Sequence, residues 1–303
     1  MPALAHLNAT FGKAGAIEFQ SSPLGGIVAR LISGGDRATV AVQGAQVLSW
    51  HPKGHDEALW LSPMAKLGTG SPVRGGIPVC WPWFAVHPQD QSKPLHGFVR
   101  TRDWDAIESS VSQSTVRVVF RTQTRPDDAV LWPHSAEVTL AVELGSVLRL
   151  TLTTRNIGAA ALPLTQALHS YFRVGDIERV HVEGLGGLEY IDKVDNNSRK
   201  TQAGTNLRID REVDRIYLGD TATVALVDAA LGRRIDVVSS GSCSAVVWNP
   251  WVERSLRVAD IGAGGYRTML CIETANAGDD MIKLEPGGVH TLRARLSVSA
   301  LEA

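Results

Sequence analysis

Two runs of strict alternation most constrain the fold open to this chain. Over 137–144, Val138, Leu140, Val142 and Leu144 alternate with Glu137, Thr139, Ala141 and Glu143. Over 148–153, Leu148, Leu150 and Leu152 alternate with Arg149, Thr151 and Thr153. A period of two places the large apolar side chains on one face of an extended strand and the other residues on the opposite face. Gly145-Ser146 lies between the runs at a hairpin spacing. The pattern recurs over 224–228 and 233–239, around Leu231-Gly232, and again where Leu292, Ala294, Leu296 and Val298 alternate with Arg293, Arg295, Ser297 and Ser299. No long amphipathic helical period competes with it. Short strands with one buried face predict an all-β fold, a large antiparallel β-sandwich. No repeat, low-complexity segment or charge block divides the 303 residues. The expectation is one domain over 1–303, a size that all-β folds reach as single units.

Charge narrows the partners. The formal net charge is −1, so no basic field draws nucleic acid or an acidic membrane surface. A small anion held by a few local arginines remains compatible. The three cysteines, Cys80, Cys243 and Cys271, are widely spaced and form no Cys-x-x-Cys pair. They read as reduced core thiols of a cytosolic protein, without a zinc site. Residues 1–10 lack the pattern of a signal peptide, and no run approaches the ~18 apolar residues of a membrane helix. The expected setting is therefore cytoplasmic.

Four stretches could carry chemistry. The run 164–172, Leu-Thr-Gln-Ala-Leu-His-Ser-Tyr-Phe, is apolar enough for a sheet yet holds His169. As a strand it puts Ala167, His169 and Tyr171 on one face, and Leu168, Ser170 and Phe172 on the other. That suits a ligand cleft, and it equally suits a structural histidine. In Met269-Leu270-Cys271-Ile272-Glu273, the same geometry groups Met269, Cys271 and Glu273. Glu273 is either a strand-end carboxylate reaching solvent or a general base tuned by partial burial. Arg74, before Gly75-Gly76, and Arg100, closing His96-Gly97-Phe98-Val99-Arg100, are either solvated arginines or donors for a phosphate or carboxylate. The stretch 68–84, rich in Gly and Pro and holding Trp81, Trp83 and Phe84, reads as an ordered loop over a cleft. Residues 1–60 read as short strands and turns. Phosphate-loop, dinucleotide and serine-elbow signatures are absent from the sequence.

A set of short segments in order carries a resemblance. They are Leu59-Trp60-Leu61-Ser62, Val73-Arg74-Gly75-Gly76-Ile77-Pro78, His96-Gly97-Phe98-Val99-Arg100, Gln166-Ala167-Leu168-His169-Ser170-Tyr171-Phe172, Tyr190-Ile191-Asp192-Lys193, Asp214-Arg215-Ile216-Tyr217, Val247-Trp248-Asn249-Pro250-Trp251 and Cys271-Ile272-Glu273. Together they resemble the hexose-6-phosphate mutarotases, or glucose-6-phosphate 1-epimerases, of the aldose 1-epimerase superfamily. The resemblance implies a galactose mutarotase-like sandwich with a sugar in a cleft across one sheet. It implies that His169 is a general acid and Glu273 a general base, and that Arg74 and Arg100 hold a phosphate. It also places His96 in the pocket and gives Asp214 the sugar hydroxyls. Such a reaction needs one acid and one base, with no metal or cofactor. The expected assembly is a monomer or weak homodimer. Leu95 and Trp81-Pro82-Trp83-Phe84-Ala85 depart from the usual pattern and alter the pocket wall. The competing readings are a mutarotase of free sugars, a non-catalytic carbohydrate-binding or metabolite-sensing module, and a glycosidase. The arginines argue against the first and the retained His169 and Glu273 against the second. The last needs a second carboxylate.

Overall fold

In the computed structural model, which describes residues 4–68, 70–262 and 264–301, the paired strands of every sheet run antiparallel. The alternating runs form the hairpin Ala136–Leu144 and Leu148–Asn156, in register from Ala136 opposite Asn156 to Leu144 opposite Leu148. They belong to a nine-stranded sheet that also contains Thr223–Asp228, Arg233–Ser240 and Val289–Ala300. An eight-stranded sheet is ordered Ser198–Thr201, Glu189–Asp192, Val213–Leu218, Ser244–Asn249, Met269–Asn276, Gln166–Leu168 and Val79–Cys80, with Tyr171–Arg173 also on Met269–Asn276. A four-stranded meander, Ile17–Ser21 to Val47–His51, and a two-stranded ribbon complete the sheets.

Alternation decides what lies between the large sheets. Val138, Leu140, Leu150, Leu152, Leu292 and Leu296 from one sheet join Leu168, Phe172, Val247, Leu270 and Ile272 from the other in one buried cluster. Each such side chain contributes roughly 1.5–3 kcal/mol on burial. Tyr171, Trp248, Met269 and Cys271 form a separate cluster. They are the alternate residues of the same strands, so they sit on the sheet face turned away from the main core.

Several local expectations are corrected. Leu4–Phe11 is a short helix, not a strand. It is anchored by buried Leu7 and by Asn8, whose amide bonds both the N–H and C=O of Phe19. Leu59 and Leu61 make single bridges to Phe172 and Gly75 and form no longer strand. Within the glycine- and proline-rich stretch, Val79–Cys80 pairs with Gln166–Leu168. Trp81 and Trp83 pack into the main core, where their indole N–H groups reach Thr154 Oγ1 and the Pro94 carbonyl; they do not cover the cleft. Cys80 and Cys271 are buried, but Cys243 is exposed: it lies on the turn between Arg233–Ser240 and Ser244–Asn249. Among the described residues, no helix is long and apolar enough to cross a membrane.

Candidate active site

The cleft is organised by a break in one strand. Leu168 pairs with Thr274 and Tyr171 with Cys271, so the same register sets His169 opposite Glu273 and Ser170 opposite Ile272. Between the two short strands the backbone turns aside. The His169 N–H donates to the Pro78 carbonyl (3.0 Å), and the Ile272 N–H donates to the Ser170 carbonyl (3.2 Å). His169 Nδ1 ends 3.4 Å from Glu273 Oε1. The imidazole stacks on Tyr171, with ring centres 4.7 Å apart and planes 8° from parallel, and Trp248 meets its edge at 6.1 Å. Glu273 is 1% exposed and His169 6%.

Distance alone would make this an ion pair, but the surroundings favour the uncharged forms. Burial pushes the Glu273 carboxyl well above the usual carboxylate range, and the Asp214 charge adds to it. Burial, with Arg74 and Arg100, holds His169 well below the usual imidazole range. Hydrogen bonding agrees: His169 Nδ1 and Glu273 Oε2 are buried without a hydrogen-bond partner. Both directions favour a protonated Glu273 beside a neutral His169 over the charged pair. The charged arrangement has the same proton count and differs by one proton moved across the pair.

The cleft has a volume of about 440 Å³, and five of the six expected residues line it: Arg74, His96, His169, Asp214 and Glu273. Arg74 is held firmly. Its Nε donates to both carboxylate oxygens of Asp260 (3.1 Å each), and its Nη1 donates to the Tyr171 hydroxyl (3.0 Å). His96 takes φ +62° ahead of Gly97. Its Nδ1 accepts the Ala85 N–H at 3.1 Å. Burial, with the neighbouring imidazole of His169 and the charges of Arg100 and Arg74, holds His96 well below the usual imidazole range; with Nδ1 accepting, the proton of the neutral ring sits on Nε2 as a donor. Burial raises Asp214 to about 6, although Lys193 and Arg254 pull the other way.

Arg100 is not part of the cleft wall. Its Nη2 donates to the Leu95 carbonyl at 2.7 Å, and its Nε is buried without a partner. It lies close enough to Arg74 for the two charges to interact. Sequence reasoning missed Lys193, Glu212, Trp248 and Arg254 on the wall, and Asp260 behind Arg74. Lys193 and Trp248 lie in segments already singled out. Arg254 stands on the Trp251–Arg257 helix, 3.6 Å from Glu212, and nothing in its local sequence marked it. Among the described residues, no cluster of three or more His, Cys, Asp or Glu is placed to hold a metal.

Comparison with known proteins bears on this geometry. The profile of the family described as aldose 1-epimerase matches residues 29–297. A protein of Salmonella typhimurium named "Putative glucose-6-phosphate 1-epimerase" is 37% identical over 241 residues, 80% of each chain. A protein of the same name from Cenchrus ciliaris is 35% identical over 274 residues, 87% of this chain and 81% of its own. A crystal structure from Salmonella typhimurium, described as a "putative mutarotase", superposes with a TM-score of 0.86 at 31% identity, covering 94% of both chains.

Proposed function

The chain belongs to the aldose 1-epimerase family, and we propose that it interconverts the α and β anomers of a hexose 6-phosphate, with glucose 6-phosphate as the expected sugar. One observation carries this reading: a buried, unbonded acid–base pair, His169 and Glu273, shares one cleft with Arg74. Glu273 takes the proton of the anomeric hydroxyl and His169 gives one to the ring oxygen. The ring opens to an aldehyde, the carbonyl turns over, and closure on the other face reverses both transfers. The pair carries one transferable proton, which is what such a cycle needs. Asp214 accepts from sugar hydroxyls, His96 offers its Nε2 proton, and Trp248 supplies an apolar wall. Arg74 takes the phosphate, which fixes the anomeric carbon between acid and base. Arg100 supports the phosphate from behind the wall, by charge or after its fork leaves the Leu95 carbonyl.

We also propose that residues 1–303 work as one domain, in the cytoplasm, as a monomer or weak homodimer. Three free thiols suit a reducing compartment. Anomer exchange on glucose 6-phosphate, followed by NMR with free glucose and galactose in parallel, tests the reading. Exchange above the spontaneous rate for the phosphorylated sugar supports it. Exchange at the spontaneous rate for all three sugars overturns it and leaves a sugar-binding module.

A further inference from the structure

A second cavity, of about 410 Å³, shares no lining residue with the cleft. Its wall carries Arg37, Lys53 and Arg233, the imidazoles of His51 and His55, and a single carboxylate, Asp56. The chain as a whole has a formal net charge of −1, so a gathering of cations here is local. Chain geometry brings them together. Arg37 and His51 are partners in the register of Asp36–Ala41 and Val47–His51. Beyond His51 the chain turns: the His55 N–H donates to the Pro52 carbonyl (3.1 Å) and the Lys53 N–H to Asp36 Oδ1 (2.9 Å). The Lys53 stem lies over Gly35, where a Cβ would fall 3.2 Å from Lys53 Cδ. Arg233 meets the same turn from the nine-stranded sheet. Its Nη1 donates to the Asp56 carbonyl (3.2 Å) and its Nη2 to the Arg173 carbonyl (2.7 Å).

The three cations are short of anionic partners. Among the described residues, none of them has a carboxylate oxygen within 4.0 Å. Arg233 is 2% exposed, its hydrogen bonds all go to main-chain carbonyls, and its Nε makes none. Asp228 stands opposite it in register and, with Asp56 and Glu57, bears on its charge. Two of these carboxylates are engaged elsewhere. Asp228 accepts from the N–H groups of Gly175, Ala230 and Leu231, and Glu57 Oε1 from those of Trp50 and Leu59. Burial, with the charge of Arg173, outweighs all three and holds Arg233 below the usual guanidinium range. A buried cation in this setting is costly unless an anion completes it.

We propose that this cavity is a second anion site, separate from the cleft, that takes a phosphate group. Arg37 offers a planar fork and Lys53 a mobile point charge, the two kinds of donor that phosphate recognition uses. His51 and His55 add ring N–H groups. A phosphate dianion balances three cations and one carboxylate, whereas a lone carboxylate ligand leaves one cation over. No part of the assignment depends on catalysis in the cleft.

The test uses the full-length protein carrying Arg74→Ala, which removes the phosphate handle proposed in the cleft. Calorimetry should show inorganic phosphate binding with a Kd in the millimolar range or tighter. The His51 and His55 ring signals should move with it in NMR. Arg37 and Lys53 are exposed, and Arg37→Gln or Lys53→Gln should weaken this binding by roughly tenfold, the scale of one charge-assisted contact. Glucose 6-phosphate and acetate are titrated in parallel. Tighter binding of glucose 6-phosphate than of inorganic phosphate supports the site and names a sugar phosphate as its ligand; the reverse supports it for the free anion. Acetate bound as tightly as phosphate overturns the assignment to phosphate. The site itself is overturned if neither phosphate binds. It is equally overturned if binding leaves His51 and His55 unmoved, or is unchanged in both substituted proteins.

Discussion

His169 Nδ1 lies 3.4 Å from Glu273 Oε1, and no hydrogen bond joins them. A buried polar pair left unlinked is costly to the fold, because each group gives up water and gains little in return. Folds keep such pairs where a ligand will complete the bonding.

His169→Ala and Glu273→Gln are each expected to lower the enzymatic rate by about two orders of magnitude or more, the usual scale for general acid–base catalysis. The spontaneous rate must be subtracted. Binding of the sugar phosphate should largely survive, because the proposed phosphate site is at Arg74. Wild-type rates in both variants would remove the pair from the mechanism.

Glu273→Gln is also expected to stabilise the protein, increasingly so as pH rises. The Glu273 carboxyl is raised in the folded state, so above its ordinary range the unfolded chain binds fewer protons than the folded one. Stability contributed by the group is present at low pH and is lost as pH climbs toward the folded value, at no more than about 1.4 kcal/mol per pH unit. His169 is common to both proteins, and between pH 7 and 8 its unfolded imidazole is mostly neutral, so it masks little of the slope. Denaturant unfolding of both proteins across that interval should show the gap widening. A constant or narrowing gap would mean that Glu273 is already ionised in the empty cleft.

Asp214, raised to about 6, should lose the charge behind its proposed acceptor role as pH falls through that value. KM for the sugar phosphate is expected to rise below pH 6 in the wild type. In Asp214→Asn, KM should be high at every pH, without that inflection. An unchanged inflection in the variant would assign it to another group.

Arg74→Ala should weaken phosphorylated-sugar binding by roughly tenfold or more, the scale of one lost charge-assisted hydrogen bond, and should scarcely affect free sugars. Arg100→Ala should cost less, because Arg100 is bonded to the Leu95 carbonyl and does not line the cleft. Equal losses for phosphorylated and free sugars, measured by titration, would contradict the anion role of Arg74.

Gly97→Ala should destabilise the pocket rim and the fold together. Gly97 has φ +72°, and a Cβ there would fall 1.8 Å from the Trp81 carbonyl oxygen. The adjoining His96 also holds a positive φ. A cost of about 1–3 kcal/mol or more is expected from the strained backbone alone. Thermal unfolding checks it, and an unchanged Tm would show that the rim relaxes freely.

The sequence by itself determined the strands and their two faces. Val138 to Leu152 could form only a hairpin with one apolar side, since alternation leaves no other way to bury those leucines. It also grouped His169 with Tyr171, and Cys271 with Glu273, because period-two geometry is local. Only the tertiary structure decided what those faces meet. Register between two distant strands set His169 against Glu273. Loop closure put Asp260 on Arg74, turned Arg100 to the Leu95 carbonyl, and sent Trp81 and Trp83 into the core. Lys193 and Glu212 came to the wall from two separate loops and Arg254 from a helix. Such contacts depend on how segments far apart in the chain pack, and no local pattern of residues encodes that.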